Sequence, residues 1–196
     1  MSITVAATAL ALLTACGGNG GDPVAGHEGI SGGSTATTPA TATPTAAFND
    51  ADVTFTQMMI PHHEQAVEMA DLAPARASDP EVKKLAARIK AAQQAEIRTM
   101  KGWLAAWGKP MPSGRMGHDM PGMASEQDMK QLAAAKGPKF DKLFAQRMIA
   151  HHKGAIEMAR TEQADGSNPQ ARELATTIES TQQAEVGQLQ KILARL

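Results

Sequence analysis

From Asn49 onward the apolar residues recur at intervals of three and four, the spacing of one face of an α-helix, and no stretch alternates with period two. The pattern predicts helices and no sheet. A first helix opens at Asn49 or Asp50, either of which can cap it, and runs to about Ala73. The run Asp79-Pro80-Glu81 supplies a cap, a proline where no backbone N–H is missed and an acid in the first turn, so a second helix extends from there to about Trp107. Ser125 and Asp128 form a capping-box pair, which predicts a short helix from Ser125 to Lys136. A third long helix begins near Pro138, after the break at Gly137, and ends near Gln163. Asn168-Pro169 starts a fourth that runs to the C-terminus.

The pattern also repeats. Shifting the chain by 89 residues lays Phe55 on Phe144, His62-His63 on His151-His152, Met69 on Met158, Pro80 on Pro169, and the QQAE run from Gln93 on that from Gln182. Self-similarity of this kind is the signature of a duplicated unit. The unit is a helical hairpin, with copies at about residues 50–108 and 138–196 of a domain covering 48–196. Two hairpins joined by one long connection predict an all-α fold, a four-helix bundle with a long crossover.

Polar residues interrupt the apolar faces at matching places. On a helix, Met59, His62, His63, Ala66, Met69 and Ala70 share one broad face, and Met148, His151, His152, Ala155, Met158 and Ala159 share the equivalent one. Both histidine pairs therefore point inward or to a seam. If the halves are related by a two-fold axis, four imidazoles and four thioethers can line one interior. Such ligands suit Cu(I) better than they suit Mg, Ca or Mn. Thioethers also remain available where thiols oxidise. Methionine at helical spacing is ordinarily core filling, but several imidazoles buried together need partners. Gln93 and Glu96 fall on the stripe defined by Val82, Leu85, Ile89 and Met100, and Gln182 and Glu185 repeat the interruption. These four are expected to accept hydrogen bonds from metal-bound imidazoles, or else to sit as polar groups at the bundle edge. Pro61, just before the first pair, should kink its helix; the counterpart is Ala150, so the fold does not require the kink.

Met111, Met116, His118, Met120 and Met123 crowd into the crossover among glycines and prolines, where core filling explains little. Alternate side chains of an extended Met116-x-His118-x-Met120 segment can wrap a soft ion.

Composition narrows the function. With 19 Lys+Arg against 20 Asp+Glu there is no basic surplus to bind nucleic acid. Aromatic content of 3%, no Tyr and 12 Met leave Ala, Leu, Ile and Met to build a helical core. The N-terminal MSITVAATALALLTA is apolar and too short to span a bilayer, and Leu13-Thr14-Ala15-Cys16 resembles the bacterial lipobox. Residues 1–16 are thus expected to form a lipoprotein signal segment with Cys16 the lipidated residue, and the Gly, Ser, Thr, Ala and Pro of residues 17–47 a disordered tether. No Lys or Arg precedes the apolar run. Cys16 is the only cysteine, so it has no partner within the chain.

The paired MMIPHHEQAVEMA and RMIAHHKGAIEMA, from Met58 and Arg147, resemble the signature of the domain-of-unknown-function family 305, over about residues 48–196. The resemblance implies a ferritin-like four-helix bundle in an exported protein with a role in copper handling. The residues it carries over are Met59, His62, His63, Met69, Met148, His151, His152 and Met158. Arg147 stands where the first copy has Met58, which puts equal affinity of the two halves in doubt.

These readings converge on a lipid-anchored, extracytoplasmic copper-binding protein that sequesters Cu(I) or passes it to a protein partner, and on no enzymatic activity. A ferritin-like oxidase needs inward Glu-x-x-His pairs, whereas Glu64 and Glu68 lie beside or opposite the histidine face. An interaction lipoprotein with purely structural histidines is the other alternative.

Overall fold

The computed structural model describes residues 47–112 and 120–196; Cys16, the tether, Met116 and His118 lie outside the described residues. Among those described, the chain forms α1 (Asp50–Arg76), α2 (Pro80–Ala106), α3 (Glu126–Ala134), α4 (Pro138–Asp165) and α5 (Pro169–Leu193), with no strand.

Local chemistry accounts for the helix starts. Asn49 caps α1: its side chain accepts from the Asp52 N–H at 3.1 Å, and the Asp52 carboxylate accepts from the Asn49 N–H at 2.6 Å. Ser125 and Asp128 make the same reciprocal box on α3. Asp79 and Asn168 cap α2 and α5 just ahead of their N1 prolines. No side chain caps α4. There Gly137 takes φ 61°, open to glycine at little cost, and donates its N–H to the Arg76 carbonyl at 2.8 Å, fastening the start of α4 to the end of α1. The end of α1 departs from expectation. It is one unbroken helix through both Pro61 and Pro74 and continues to Arg76, past Ala73. An internal proline costs about 3 kcal/mol in lost hydrogen bonding and clash. Burial of the opposite face, from Met59 to Ala73, offsets that cost.

α1 pairs with α2 and α4 with α5, and the two hairpins meet chiefly along α1 and α4, with α3 lying on that pair. The core is split into two apolar clusters. On α1, Val53 to Ile60 enter one cluster and Ala66 to Ala77 the other; α4 visits them in reverse, Phe140 to Met148 and then Ala155 to Ala159. The two helices are therefore antiparallel, and the histidine pairs occupy the level between the clusters. Phe140, Phe144, Met59, Met148, Leu85 and Ile178 are among the fully buried side chains, each contributing about 1.5–3 kcal/mol by burial.

Two carboxylates clasp the hairpins together. Asp52 on α1 accepts from Ser167 N (3.2 Å), Ser167 Oγ (3.1 Å) and Asn168 N (2.9 Å) in the α4–α5 turn. Asp141, its counterpart on α4, accepts from Ser78 N (3.2 Å), Ser78 Oγ and Asp79 N (3.0 Å) in the α1–α2 turn. Burial pushes the Asp52 carboxyl up, but the backbone hydrogen bonds from Asn49, Asn168 and Ser167, with the neighbouring Glu162 carboxyl, outweigh it and hold the group below its ordinary 3.8. Glu162, only 1% exposed, lies beside Asp52, and burial followed by that neighbour raises it to about 8. Gly166 makes the room, since a Cβ there would sit 2.3 Å from Glu162 Oε1.

Candidate metal centre

His62 and His63 of α1 meet His151 and His152 of α4 between the apolar clusters, and all four are 0% exposed. The small Ala66, Ala70, Ala155 and Ala159, each almost fully buried, let the two helices approach closely. The rings form a row. His62 and His151 are central, with ring centroids 3.8 Å apart, and His63 and His152 each lie 6.5 Å from their own neighbour.

Oxygen acceptors hold three of the rings from outside. His63 Nε2 is 2.7 Å from Glu96 Oε2 of α2, and His152 Nε2 is 2.7 Å from Glu185 Oε2 of α5. His62 Nε2 is 3.1 Å from the carbonyl oxygen of Pro121. A carbonyl or carboxylate oxygen can only accept, so Nε2–H donates in each case and Nδ1 is left as the second nitrogen of the ring. Nδ1 of His62, His63 and His152, and both nitrogens of His151, are buried without a hydrogen-bond partner. Burial, followed by repulsion from His63, lowers His62 to about 3; burial, followed by repulsion from His62, takes His151 well below 6.5. Both rings are thus neutral at physiological pH, the form that ligates metals.

The methionines bracket this row. Met59 and Met158 belong to one apolar cluster and Met69 and Met148 to the other, so each cluster receives one thioether from each histidine helix. This differs from a single interior lined by all eight side chains: the apolar clusters separate the methionines into two sets, one on either side of the histidines. Among the described residues no three His, Cys, Asp or Glu side chains converge as one metal-binding group. Glu96 and Glu185 take the expected role of acceptors for the imidazoles. Gln93 and Gln182 do not. Both are buried, but Gln93 Oε1 and Nε2 and Gln182 Oε1 find no partner, because the glutamate one turn later already occupies the outer nitrogen of the ring. Met120 is buried at the edge of the crossover, 7% exposed.

One contact was not legible beforehand, the Pro121 carbonyl on His62, because a backbone oxygen leaves no side-chain trace. The signal available was the mismatch of Gly154 with its repeat counterpart Gln65. A Cβ on Gly154 would lie 1.9 Å from the Pro121 oxygen.

These features make an all-helical protein, among its described residues, of two similar hairpins that each bury a His-His pair. The chain is a member of the DUF305 family (domain of unknown function), whose sequence profile matches residues 52–193. Among solved structures, that of a DUF305 protein from Streptomyces coelicolor, proposed to be secreted, is 32% identical, with a TM-score of 0.69 over 74% of this chain and 93% of that one. CopM in a Cu(I)-bound form is 35% identical (TM-score 0.62, 71% and 93% covered). CopM in a Cu(II)-bound form is 36% identical (TM-score 0.65, 74% and 96% covered). No curated protein matches the sequence.

Proposed function

We propose that this protein binds copper, as Cu(I), at the histidine row and sequesters it or passes it to a protein partner, without catalysing a reaction. The observation that carries the reading is the set of buried ring nitrogens with no hydrogen-bond partner: Nδ1 of His62, His63 and His152, and both nitrogens of His151. A buried polar atom without a partner costs about 1–3 kcal/mol, and an ion bound in the row would relieve those of the five that ligate it. The donor set supports a soft ion. Among the described residues no three His, Cys, Asp or Glu side chains converge, and a few imidazole and thioether donors favour Cu(I) over Zn(II) or a di-iron pair. Similarity to CopM, solved with Cu(I) and with Cu(II), supports the same reading. Met59, Met69, Met148 and Met158 are the thioethers available beside the imidazoles.

The finer architecture, a ferritin-like four-helix bundle with a crossover, is part of the proposal, as is export with lipid anchoring through Cys16. No helix among the described residues is long and apolar enough to cross a membrane, so any attachment of the described residues to one needs another device. Replacing Cys16 by Ser is expected to release the protein from the membrane fraction with its folded domain unchanged.

The direct test is Cu(I) titration of untagged protein followed by mass spectrometry under non-denaturing conditions. One or more tightly held copper ions are expected; protein that remains metal-free, or that arrives with iron, contradicts the reading.

A further inference from the structure

The crossover does not merely connect the hairpins; its end is fitted onto the histidine row. Pro121 sets its carbonyl against His62 Nε2 at 3.1 Å. Gly122 takes φ 79°, and a Cβ on it would lie 2.4 Å from the Ala150 carbonyl oxygen and 3.0 Å from that of His151, so only glycine lets this backbone lie on α4. Gly154, one turn beyond, completes the fit from below, since any side chain there would meet the Pro121 carbonyl. On the α1 side Gln65 grips Ala124, two residues on from Gly122, with both ends of its amide: Nε2 donates to the Ala124 carbonyl at 2.9 Å, and Oε1 accepts from the Ala124 N–H at 2.8 Å. Gln65 and Gly154 are the same position of the repeat. The duplicated unit has diverged there into a grip on one side and a recess on the other, which neither helix needs for its own packing.

We propose that Met120–Ala124 is a removable seal over the histidine row, latched by Gln65, that sets the rate at which a soft monovalent ion enters and leaves. The inference rests on copper binding at that row. With the seal seated, the His62 ring is tied by its Nε2–H to Pro121 and the ring row is closed on that side. Releasing the two Gln65 hydrogen bonds lets the Pro121 carbonyl leave His62 Nε2–H and exposes that ring, with the imidazoles and the thioethers of α1 and α4 left in place. Met120, at the start of the seal and almost fully buried, is carried with it.

The test uses the full chain with Cu(I) supplied from, and removed to, a coloured chelator in stopped flow, alongside amide exchange at Ala124. Gln65→Ala removes the latch. Uptake and release should both accelerate roughly tenfold, the worth of about two neutral hydrogen bonds, while the equilibrium affinity changes by less than about threefold. Exchange at the Ala124 N–H should rise in parallel. Gly154→Ala, which drives a methyl into the Pro121 carbonyl, should accelerate both rates in the same way if it folds. Gln65→Glu, which keeps the acceptor for the Ala124 N–H but loses the donor, should fall between parent and Gln65→Ala. If Gln65→Ala frees the Ala124 amide but leaves both rates unchanged, the segment is no barrier and the seal is disproved; unchanged exchange would equally overturn the latch. A parent that takes up no Cu(I) is a separate result, read before any variant, and removes the functional reading itself.

Discussion

The two hairpins agree wherever they build the buried row and differ wherever the chain must connect or close it. His63 on Glu96 and His152 on Glu185 are bonded at the same 2.7 Å, and Asp52 and Asp141 clasp equivalent turns. A duplicated unit, however, has only one crossover to serve it. Met58 in the first copy becomes Arg147 in the second, which pairs with Asp128 of α3 at 2.5 Å; Gln65 becomes Gly154, and the pair grips and seats Met120–Ala124. A further divergence lies away from the crossover: Ala73 and Ala77 become Glu162 and Gly166, and the new carboxyl is buried against the Asp52 clasp. The comparison separates what the fold needs twice from what it needs once.

The largest effect should come from the clasps. Asp141→Ala strands the Ser78 hydroxyl and the Ser78 and Asp79 amides, a loss of about 3 kcal/mol by removal of one partner of a buried charged network. Asp52→Ala strands the equivalent groups and the Asn49 N–H of the α1 capping box besides, so it should cost somewhat more. Thermal unfolding of the two variants checks the order; a smaller loss for Asp52→Ala would show that burying Glu162 beside Asp52 burdens that clasp.

The next effect concerns pH, and its sign differs on the two sides of neutrality. Glu162 has a folded value of about 8 against an ordinary 4.5, so the folded state holds a proton the unfolded state releases, and stability falls as pH rises from 4.5 to 8. His62 and His151 are depressed from 6.5, so the unfolded state binds protons the folded state refuses, and stability falls as pH drops below 6.5. Between 4.5 and 6.5 two histidines oppose one glutamate and prevail. The metal-free protein should therefore be most stable near pH 6.5, as urea midpoints across pH will show. Glu162→Gln should flatten the alkaline limb and steepen the acid limb between 4.5 and 6.5, where the glutamate opposes the histidines. The double change Glu162→Ala with Gly166→Ala, which rewrites the second copy as the first, should raise stability at pH 8.

Smaller still, and equal in both halves, is the effect of Glu96→Ala and Glu185→Ala. Each leaves a buried ring N–H unsatisfied and should weaken Cu(I) binding about 10–100-fold, as loss of an outer partner of a ligating histidine does. Unequal losses in chelator competition would mean that the two ends of the row are not equivalent.

Much of this was readable from residues. Cap and proline placement located the helices because those signals are local and chemical, as at Asp79-Pro80 and Asn168-Pro169. The 89-residue repeat exposed the histidine pairs and the glutamates that hold them. Three features were not readable. The continuation of α1 past Pro74 depends on tertiary burial that outweighs propensity. Which of Gln93 and Glu96, and of Gln182 and Glu185, bonds the ring was the second, because one helical stripe carries both Gln and Glu and periodicity does not say which reaches it. The split of the methionines into two sets follows from the antiparallel crossing of α1 and α4, a fact of topology.

The central claim is that the buried imidazoles are ligands and not only core. Replacing His62, His63, His151 and His152 together by Ala or Asn, in protein shown by circular dichroism to remain helical, and measuring competition for Cu(I) against a coloured chelator tests it most directly. The row of unpartnered ring nitrogens predicts a loss of Cu(I) affinity of at least about a hundredfold relative to the parent, the upper range for losing even an outer partner of a ligand. A folded quadruple variant that competes for Cu(I) as well as the parent does would contradict it and leave the histidines as structural residues.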